Sequence, residues 1–374
     1  MDISIANKDT EAAYSTPIVQ QTSFWSDVKK RMGLESRAFE FAVRNSDIYT
    51  GVGGWSVTHA DFILFLQHIN DRDYVAYVPY GPETEPSEEN QGRFLEELSE
   101  TVRPMLPKGC VALRYDLNWQ SHWCRKEDFD CQGNWRGEPR RECQEIQLNY
   151  GTANHNLRKA NSNILPTNTI VIDIRQSEEA ILARMKPKTR YNIRHALRLG
   201  VEVRQEGIGS LDKWYSLYKE TAIRNVLHLN SIDYFRSLFA PKIGKDEDDD
   251  VRVRLLIAYY AGTPLSAMFL INSAHRATYL YGASSSSQRN TMSTYALQWH
   301  AIRTAKADGL WEYDMFGVAP GADPSHPMYG LYRFKNGFGG HAYHQLGCWD
   351  YPLDEDKYNL LAAAEIRQQG YYAR

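Results

Sequence analysis

Tyr74-Val75-Ala76-Tyr77-Val78-Pro79-Tyr80-Gly81-Pro82 reads as a strand of aromatic and β-branched residues halted by a Gly-Pro turn. A polar loop follows, then a helical pattern from Gly92 to Leu106, then Gly109 and a second strand from Val111 to Asp116. The second half of the chain repeats the order. Thr278-Tyr279-Leu280-Tyr281-Gly282-Ala283 leads through a serine loop to a helix from Thr294 to Ala307, then Gly309 and the strand Leu310 to Asp314. Tyr80 to Asp116 covers 36 positions (116 minus 80), and Tyr281 to Asp314 covers 33 (314 minus 281). One strand, loop, helix, strand unit occurring twice predicts an α/β protein with mixed sheets and two domains related by internal duplication.

The length of 374 residues also favours two domains. The first is expected over 1–165 and the second over 166–341, opening with the strand Thr169 to Ile174. Cys124 to Asn163 is polar and turn-rich and reads as a long loop, as does the acidic run Asp246 to Asp250. The apolar stretch Leu255 to Ala274 is broken by Gly262-Thr263-Pro264, so it reads as two strands and a turn rather than a membrane span.

With 43 basic against 46 acidic residues the net charge is −3, which argues against DNA or any polybasic mode of binding. The five cysteines are irregularly spaced, without a C-x-x-C pair, and fit a reducing compartment. The N-terminus lacks the basic start and apolar core of a signal peptide, so a cytoplasmic protein is expected, with peripheral contact at the inner face of the membrane allowed. There is no G-x-S-x-G, no H-E-x-x-H and no Walker loop, and the histidines lack ligand spacing; neither a metal nor a cofactor is expected.

Two segments concentrate chemistry. Lys186 to Arg204 carries Lys186, Lys188, Arg190, Arg194, Arg198 and Arg204 against Glu202 alone. On a helix Arg190, Arg194 and Arg198 form one stripe, with Ile193, Ala196 and Leu197 on the adjoining face and Gly200 as the cap. Guanidinium groups in a row suit phosphate oxygens; the alternative is a solvated face. The second segment, Gly330 to Gly340, sets Lys335 among aromatics and four glycines. Glycines admit a ligand to the main chain, and a lysine so placed can hold a phosphate or a developing oxyanion. The alternative is a glycine-cornered strand end. The Ser284 to Ser287 run reads as a flexible loop that could also cradle a phosphate.

Trp25 with Lys29, Tyr80-Gly81-Pro82, the pattern Met-x-x-Lys-Thr-Arg-Tyr-Asn-Ile-Arg from Met185, Tyr313-Asp314-x-x-Gly317 and Gly330 to Gly340 occur in an order that resembles the FemABX family of aminoacyl-tRNA-dependent peptidyltransferases. The resemblance runs from about Thr22 to Gly340. It implies two GNAT-like acyltransferase domains, a C-terminal tail (342–374) returning to the first, and transfer of an amino acid from aminoacyl-tRNA to the stem-peptide amine of a peptidoglycan precursor, nucleotide-linked or lipid-linked. Between Leu211 and Val251 there is room only for helices such as Leu211 to Ile223 and Ile232 to Phe239, which implies the compact type without a coiled-coil arm.

Carried over by position, the resemblance implies a precursor site of Lys29, Tyr80, Glu85, Arg224, His228 and Tyr281. The family has Asp more often at Glu85 and Tyr at His228. It places Lys335 at the acyl-transfer centre, with Phe334 shielding it or stacking on the terminal nucleotide. Lys188, Arg190, Arg194 and Arg198 would meet tRNA phosphates. Two other readings stay open. One is a GNAT-like N-acyltransferase using acyl-CoA or an acyl carrier, which the acidic Glu83, Glu85, Glu88 and Glu89 after the first strand disfavour. The other is a non-catalytic RNA-binding module.

Overall fold

The computed structural model describes residues 1–226, 228–239 and 251–372. Its strands, in chain order, are β1 (Ile3–Lys8), β2 (Glu35–Arg44), β3 (Val57–His68), β4 (Tyr74–Pro79), β5 (Cys110–Gln120), β6 (Arg158–Lys159), β7 (Asn168–Asp173), β8 (Glu202–Glu206), β9 (Val251–Tyr260), β10 (Thr263–Ser273), β11 (Arg276–Ser284), β12 (Glu312–Asp314) and β13 (His341–Pro352). The α-helices are α1 (Ser23–Arg31), α2 (Asn45–Ile48), α3 (Gln91–Val102), α4 (Arg141–Leu148), α5 (Glu178–Arg184), α6 (Pro187–Leu199), α7 (Leu211–Asn225), α8 (Ile232–Phe239), α9 (Ser293–Ala307), α10 (Tyr329–Lys335) and α11 (Glu355–Tyr372).

The chain divides into two compact units, one formed by Met1–Tyr14, Gln20–Thr167 and His344–Arg374, the other by Ser15–Val19 and Asn168–Tyr343. Unit 1 is built on a mixed sheet in which β1, β2, β3 and β4 pair antiparallel, β4 and β5 pair parallel, and β13 closes antiparallel on β5. Unit 2 has the same polarity pattern: β8, β9, β10 and β11 antiparallel, β11 and β12 parallel, β7 antiparallel on β12. The duplication is thus written in the sheets. Apart from the two-residue β6, only the sixth strand breaks chain order, since β7, the next strand after β5, joins the second sheet, and β13, which follows β12, returns to the first.

The parallel pairs correct the sequence match between the copies. Pro79 lies opposite Asp116 on β5, and Thr278 lies opposite Asp314 on β12. Aligned on these acids, Tyr80 corresponds to Tyr279, not to Tyr281. A bulge accounts for one residue of the offset: Phe269 pairs with Tyr281 and Leu270 with Tyr279, leaving Leu280 extra.

Each sheet buries one face under helices. In unit 1, Phe39, Phe41 and Phe62 of β2 and β3 and Trp119 of β5 pack with Phe94 of α3, all essentially inaccessible. Returning β13 and α11 are tied down by charge: Arg114 of β5 forms a two-pronged ion pair with Asp350 (2.6 and 2.8 Å) and a second with Glu365 (2.7 and 3.1 Å). Unit 2 packs Ile193 and Ala196 of α6 and Leu297, Ala301 and Ile302 of α9 on Leu256, Met268 and Leu270. α6 begins with Pro187 in its first turn and ends at Gly200 with φ +88°, the left-handed cap that its sequence calls for.

Cys124–Asn163 is not the structureless loop expected. It contains α4 and the short β6, which pairs with β13. α7 and α8 are the two ordinary helices anticipated after Leu211; the acidic run Asp246–Asp250 lies outside the described residues.

Candidate functional site

The Gly330–Gly340 segment is neither an open glycine loop nor a strand corner. It forms α10, then a 3-10 turn over Asn336–Phe338, with Gly339 at φ +79°. A Cβ on Gly337 would lie 2.4 Å from Thr189 Oγ1, and one on Gly339 2.5 Å from the Arg184 carbonyl oxygen. These glycines therefore bring the segment against α5 and α6 of the same unit rather than against a ligand. The docking is pinned by the Lys186 N–H donating to the Gly337 carbonyl at 2.9 Å.

That packing turns Lys335 inward, to 4% exposure. Its Nζ donates to the carbonyls of Phe316 (3.0 Å) and Gly317 (2.9 Å) and stands 5.1 Å from the centre of the Tyr279 ring. The carbonyls are presented by an unusual backbone: Phe316 has φ +57°, a left-handed conformation that a bulky residue rarely adopts. Asp314 helps fix it, its Oδ1 accepting from the Phe316 N–H at 2.8 Å and from the Thr169 hydroxyl. Burial lowers the Lys335 pKa to about 7, the Asp314 charge opposing the shift. The amine thus titrates close to neutral pH and has one N–H without a partner among the described residues.

Phe334 does not shield this amine in the way expected. Its ring sits edge-on to Tyr295 (5.0 Å) and Phe338 (5.3 Å), so it builds the wall behind α10 while Tyr279 covers the charge. Tyr279, Asp314 and Phe316 are the residues that complete the Lys335 site. In the sequence Asp314 belongs to the Tyr313-Asp314-x-x-Gly317 motif, whereas nothing there singles out Phe316.

Elsewhere in unit 2, Arg224 near the end of α7 is woven into the serine loop. Its guanidinium donates to the Ser284 carbonyl (2.9 Å), Ser284 Oγ (3.0 Å) and Ser286 Oγ (3.1 Å), while Glu220 accepts from the Ser286 N–H at 2.5 Å. The serine run is therefore held in place by this arginine, a cation and hydroxyls together, as a phosphate would require. Tyr279 and Ser284 share β11, which separates the Lys335 and Arg224 centres by roughly 17 Å along the strand. Tyr281 lies between them, its hydroxyl paired with that of Tyr234 and its ring packed edge-on to Phe235. His228 is exposed beyond α7.

Unit 1 holds the other three expected residues. Lys29 is half-buried on α1 with its amine 5.1 Å from the Trp25 ring, and burial lowers its pKa; neighbouring Lys30 is exposed. Tyr80 is 7% exposed at φ +47°, its hydroxyl donating to the Pro166 carbonyl at 2.5 Å, so it offers a ring and no free hydroxyl. The Gly81–Pro82 bond that follows is cis, and the Pro82 carbonyl accepts from the Trp119 indole at 2.8 Å. Glu85 lines a cleft of about 450 Å³ with Tyr49, Ser87, Gln91, Gln120 and His122. The Gln120 N–H donates to its carboxylate at 3.2 Å, yet desolvation prevails and raises its pKa to about 7. His122, which nothing in the sequence singled out, has its Nδ1 3.2 Å from Glu88 and no partner for its Nε2 among the described residues.

The basic stripe on α6 is divided. Arg190 donates to the carbonyls of Ala183 (3.2 Å) and Met185 and so caps the end of α5. Lys188, Arg194 and Arg198 are exposed. Leu197, on the adjoining face with Ile193 and Ala196, is 52% exposed. Among the described residues no cluster of three or more His, Cys, Asp or Glu side chains could hold a metal ion.

A family model described as the FemAB family matches residues 11–241 and 254–366. A lipid II:glycine glycyltransferase of Staphylococcus epidermidis is 22% identical over 403 aligned positions, covering 93% of this chain and 91% of that protein. The Staphylococcus haemolyticus protein of the same name is 22% identical over 263, covering 54% of this chain and 63% of its own length. The Staphylococcus aureus protein reaches 30% identity over 127, covering 34% of this chain and 30% of that protein. Among solved structures, the crystal structure of FemX superposes with a TM-score of 0.68 at 18% identity, over 94% of this chain and 96% of that one, and shares its fold.

Proposed function

The chain belongs to the FemAB family, and on that premise we propose that it is an aminoacyltransferase of peptidoglycan synthesis, moving an amino acid from aminoacyl-tRNA to the stem-peptide amine of a lipid-linked precursor. The names of its staphylococcal relatives support the lipid-linked acceptor and the amide-forming chemistry. The observation that carries the reading is the Lys335 amine, desolvated, aimed by two carbonyls and poised near neutral pH.

The donor is an ester, already activated. The acceptor amine, ordinarily protonated at neutral pH, attacks the ester carbonyl after losing a proton. The carbonyl oxygen becomes an oxyanion, and the remaining N–H of Lys335 donates to it in a site where a charge counts for more than in water. The C–N bond forms in that attack; collapse re-forms the carbonyl, breaks the ester C–O bond and releases the tRNA 3′ oxygen, which takes up a proton as the new amide nitrogen sheds one. Lys29 and Arg224 are assigned to the precursor's phosphates, Tyr80, Glu85, Tyr281 and His228 to its remaining contacts.

The test is transfer of radiolabel. The chain is incubated with labelled aminoacyl-tRNA and either lipid-linked or UDP-linked muropeptide, and in parallel with labelled acetyl-CoA and the same acceptors. Label reaching the lipid-linked acceptor from tRNA supports the reading. Transfer from the CoA thioester alone identifies an ordinary N-acyltransferase, and transfer to the UDP-linked acceptor alone replaces the acceptor.

A further inference from the structure

The outer face of α6 combines features that a nucleic-acid surface does not need. Thr189, Asn192, Ile193 and Ala196 are buried, which leaves Lys188, Tyr191, Arg194, Leu197, Arg198 and Leu199 outward. Of these, Tyr191 is 57% exposed, Leu197 52% and Leu199 39%. Pro187, Arg190, Tyr191, Arg194, Leu197 and Arg198 line one open concavity. The helix carries no acidic residue, and Lys188, Arg194 and Arg198 form no ion pair among the described residues. Of the carboxylates on the adjoining elements, Glu178 of α5 pairs with Arg303 of α9 and Glu202 of β8 with Arg204, Glu206 accepts from Ser210 and Tyr259, and Glu179 is held by Ser177.

We propose that this face of α6 docks on an anionic bilayer surface, with Arg194, Arg198 and Lys188 at the phosphate level and Tyr191 and Leu197 entering the headgroup boundary. Cations that meet only phosphates gain nothing from an exposed tyrosine and leucine beside them. A membrane rewards both, because long basic side chains reach back to the headgroups while apolar neighbours leave water. Tyr191, stacked on His195 at 5.8 Å, has an apolar body and a polar tip that suit the interface. The inference departs from the tRNA path expected of this stripe. It goes beyond the transfer reaction and does not depend on it, because vesicle binding is read without donor or acceptor.

The experiment is co-sedimentation of the full chain with vesicles of phosphatidylcholine alone and with added phosphatidylglycerol, beside a filter assay with uncharged tRNA. The wild-type chain is expected on the anionic vesicles and not on the neutral ones. R194Q/R198Q should weaken that partitioning by about thirtyfold, and the charge-conserving Y191S/L197S by about tenfold. Hydrogen exchange in the wild-type chain should show residues 187–199 protected by anionic vesicles, a readout that needs no variant. Absence of vesicle binding overturns the proposal. So does binding that neither variant changes, or an R194Q/R198Q chain that loses tRNA while keeping its vesicles.

Discussion

Each unit buries one lysine over an aromatic ring near the acid of its parallel strand pair, and the two lysines live in different electrostatic company. In unit 1 Lys159 donates to the Leu346 carbonyl, with Nζ 5.3 Å from the Trp349 ring, and Glu138, Cys348 and Asp116 all favour its charge against burial. In unit 2, among the described residues, Lys335 has Asp314 alone. The first is a structural cation with acids around it. The second is a cation left nearly uncompensated, as the proposed oxyanion role requires. The two pockets share a buried lysine beside an aromatic ring, and the neighbouring acids distinguish them.

The comparison can be broken at the strand that seals unit 1. Arg114→Met should cost about 3–5 kcal/mol of stability, because it leaves Asp350, 1% exposed, as a buried charge without its main partner. Chemical denaturation reads this directly; a loss below about 1 kcal/mol means that β13 and α11 are held by packing alone.

Lys335→Met should lower kcat by roughly 10²–10³-fold, the usual consequence of removing one oxyanion donor, with KM for the precursor changed far less. Equal losses in binding and turnover would reduce the lysine to a binding residue.

The pH dependence sharpens the same point. The Lys335 pKa is lower in the folded chain, about 7, than its ordinary value of 10.5. Between those values the unfolded chain binds more protons, so the wild-type chain gains stability as pH rises, fully by pH 10.5, and loses it as pH falls through 7. Relative to Lys335→Met, unfolding free energy should climb by up to about 1.4 kcal/mol per pH unit in that window. A flat difference would show that the amine keeps its ordinary pKa.

Lys159→Met should have the smallest effect, about 1–2 kcal/mol of stability from the Leu346 carbonyl and the nearby acids left unpaired, with kcat per folded molecule unchanged within twofold. A catalytic loss there as large as that at Lys335 would erase the distinction between the pockets.

Much of the fold is legible along the chain. Strand and helix periodicity, the Gly-Pro stop at Gly81-Pro82 and the Gly200 cap mark elements that the structure contains, because each is specified by neighbours a few residues apart. The site was legible in part. Lys335 stood out as a lysine among glycines, yet its glycines were misread: whether Gly337 and Gly339 admit a ligand or another helix depends on what packs against them, and Thr189 and Arg184 are far away in sequence. Helical spacing puts Leu197 on the face adjoining the arginine stripe with Ile193 and Ala196, which fixes its direction on the helix but not what lies opposite.

The sequence by itself determined that this is a duplicated α/β protein with its charge gathered on one helix and one lysine, since repeats, caps and stripes are local patterns. Tertiary structure decided which sixth strand closes which sheet, the two-residue shift that matches Tyr80 to Tyr279, and the burial that brings Lys335 near neutrality. Strand partners distant along the chain leave no local signal, and a pKa is set by the groups that folding brings around the charge.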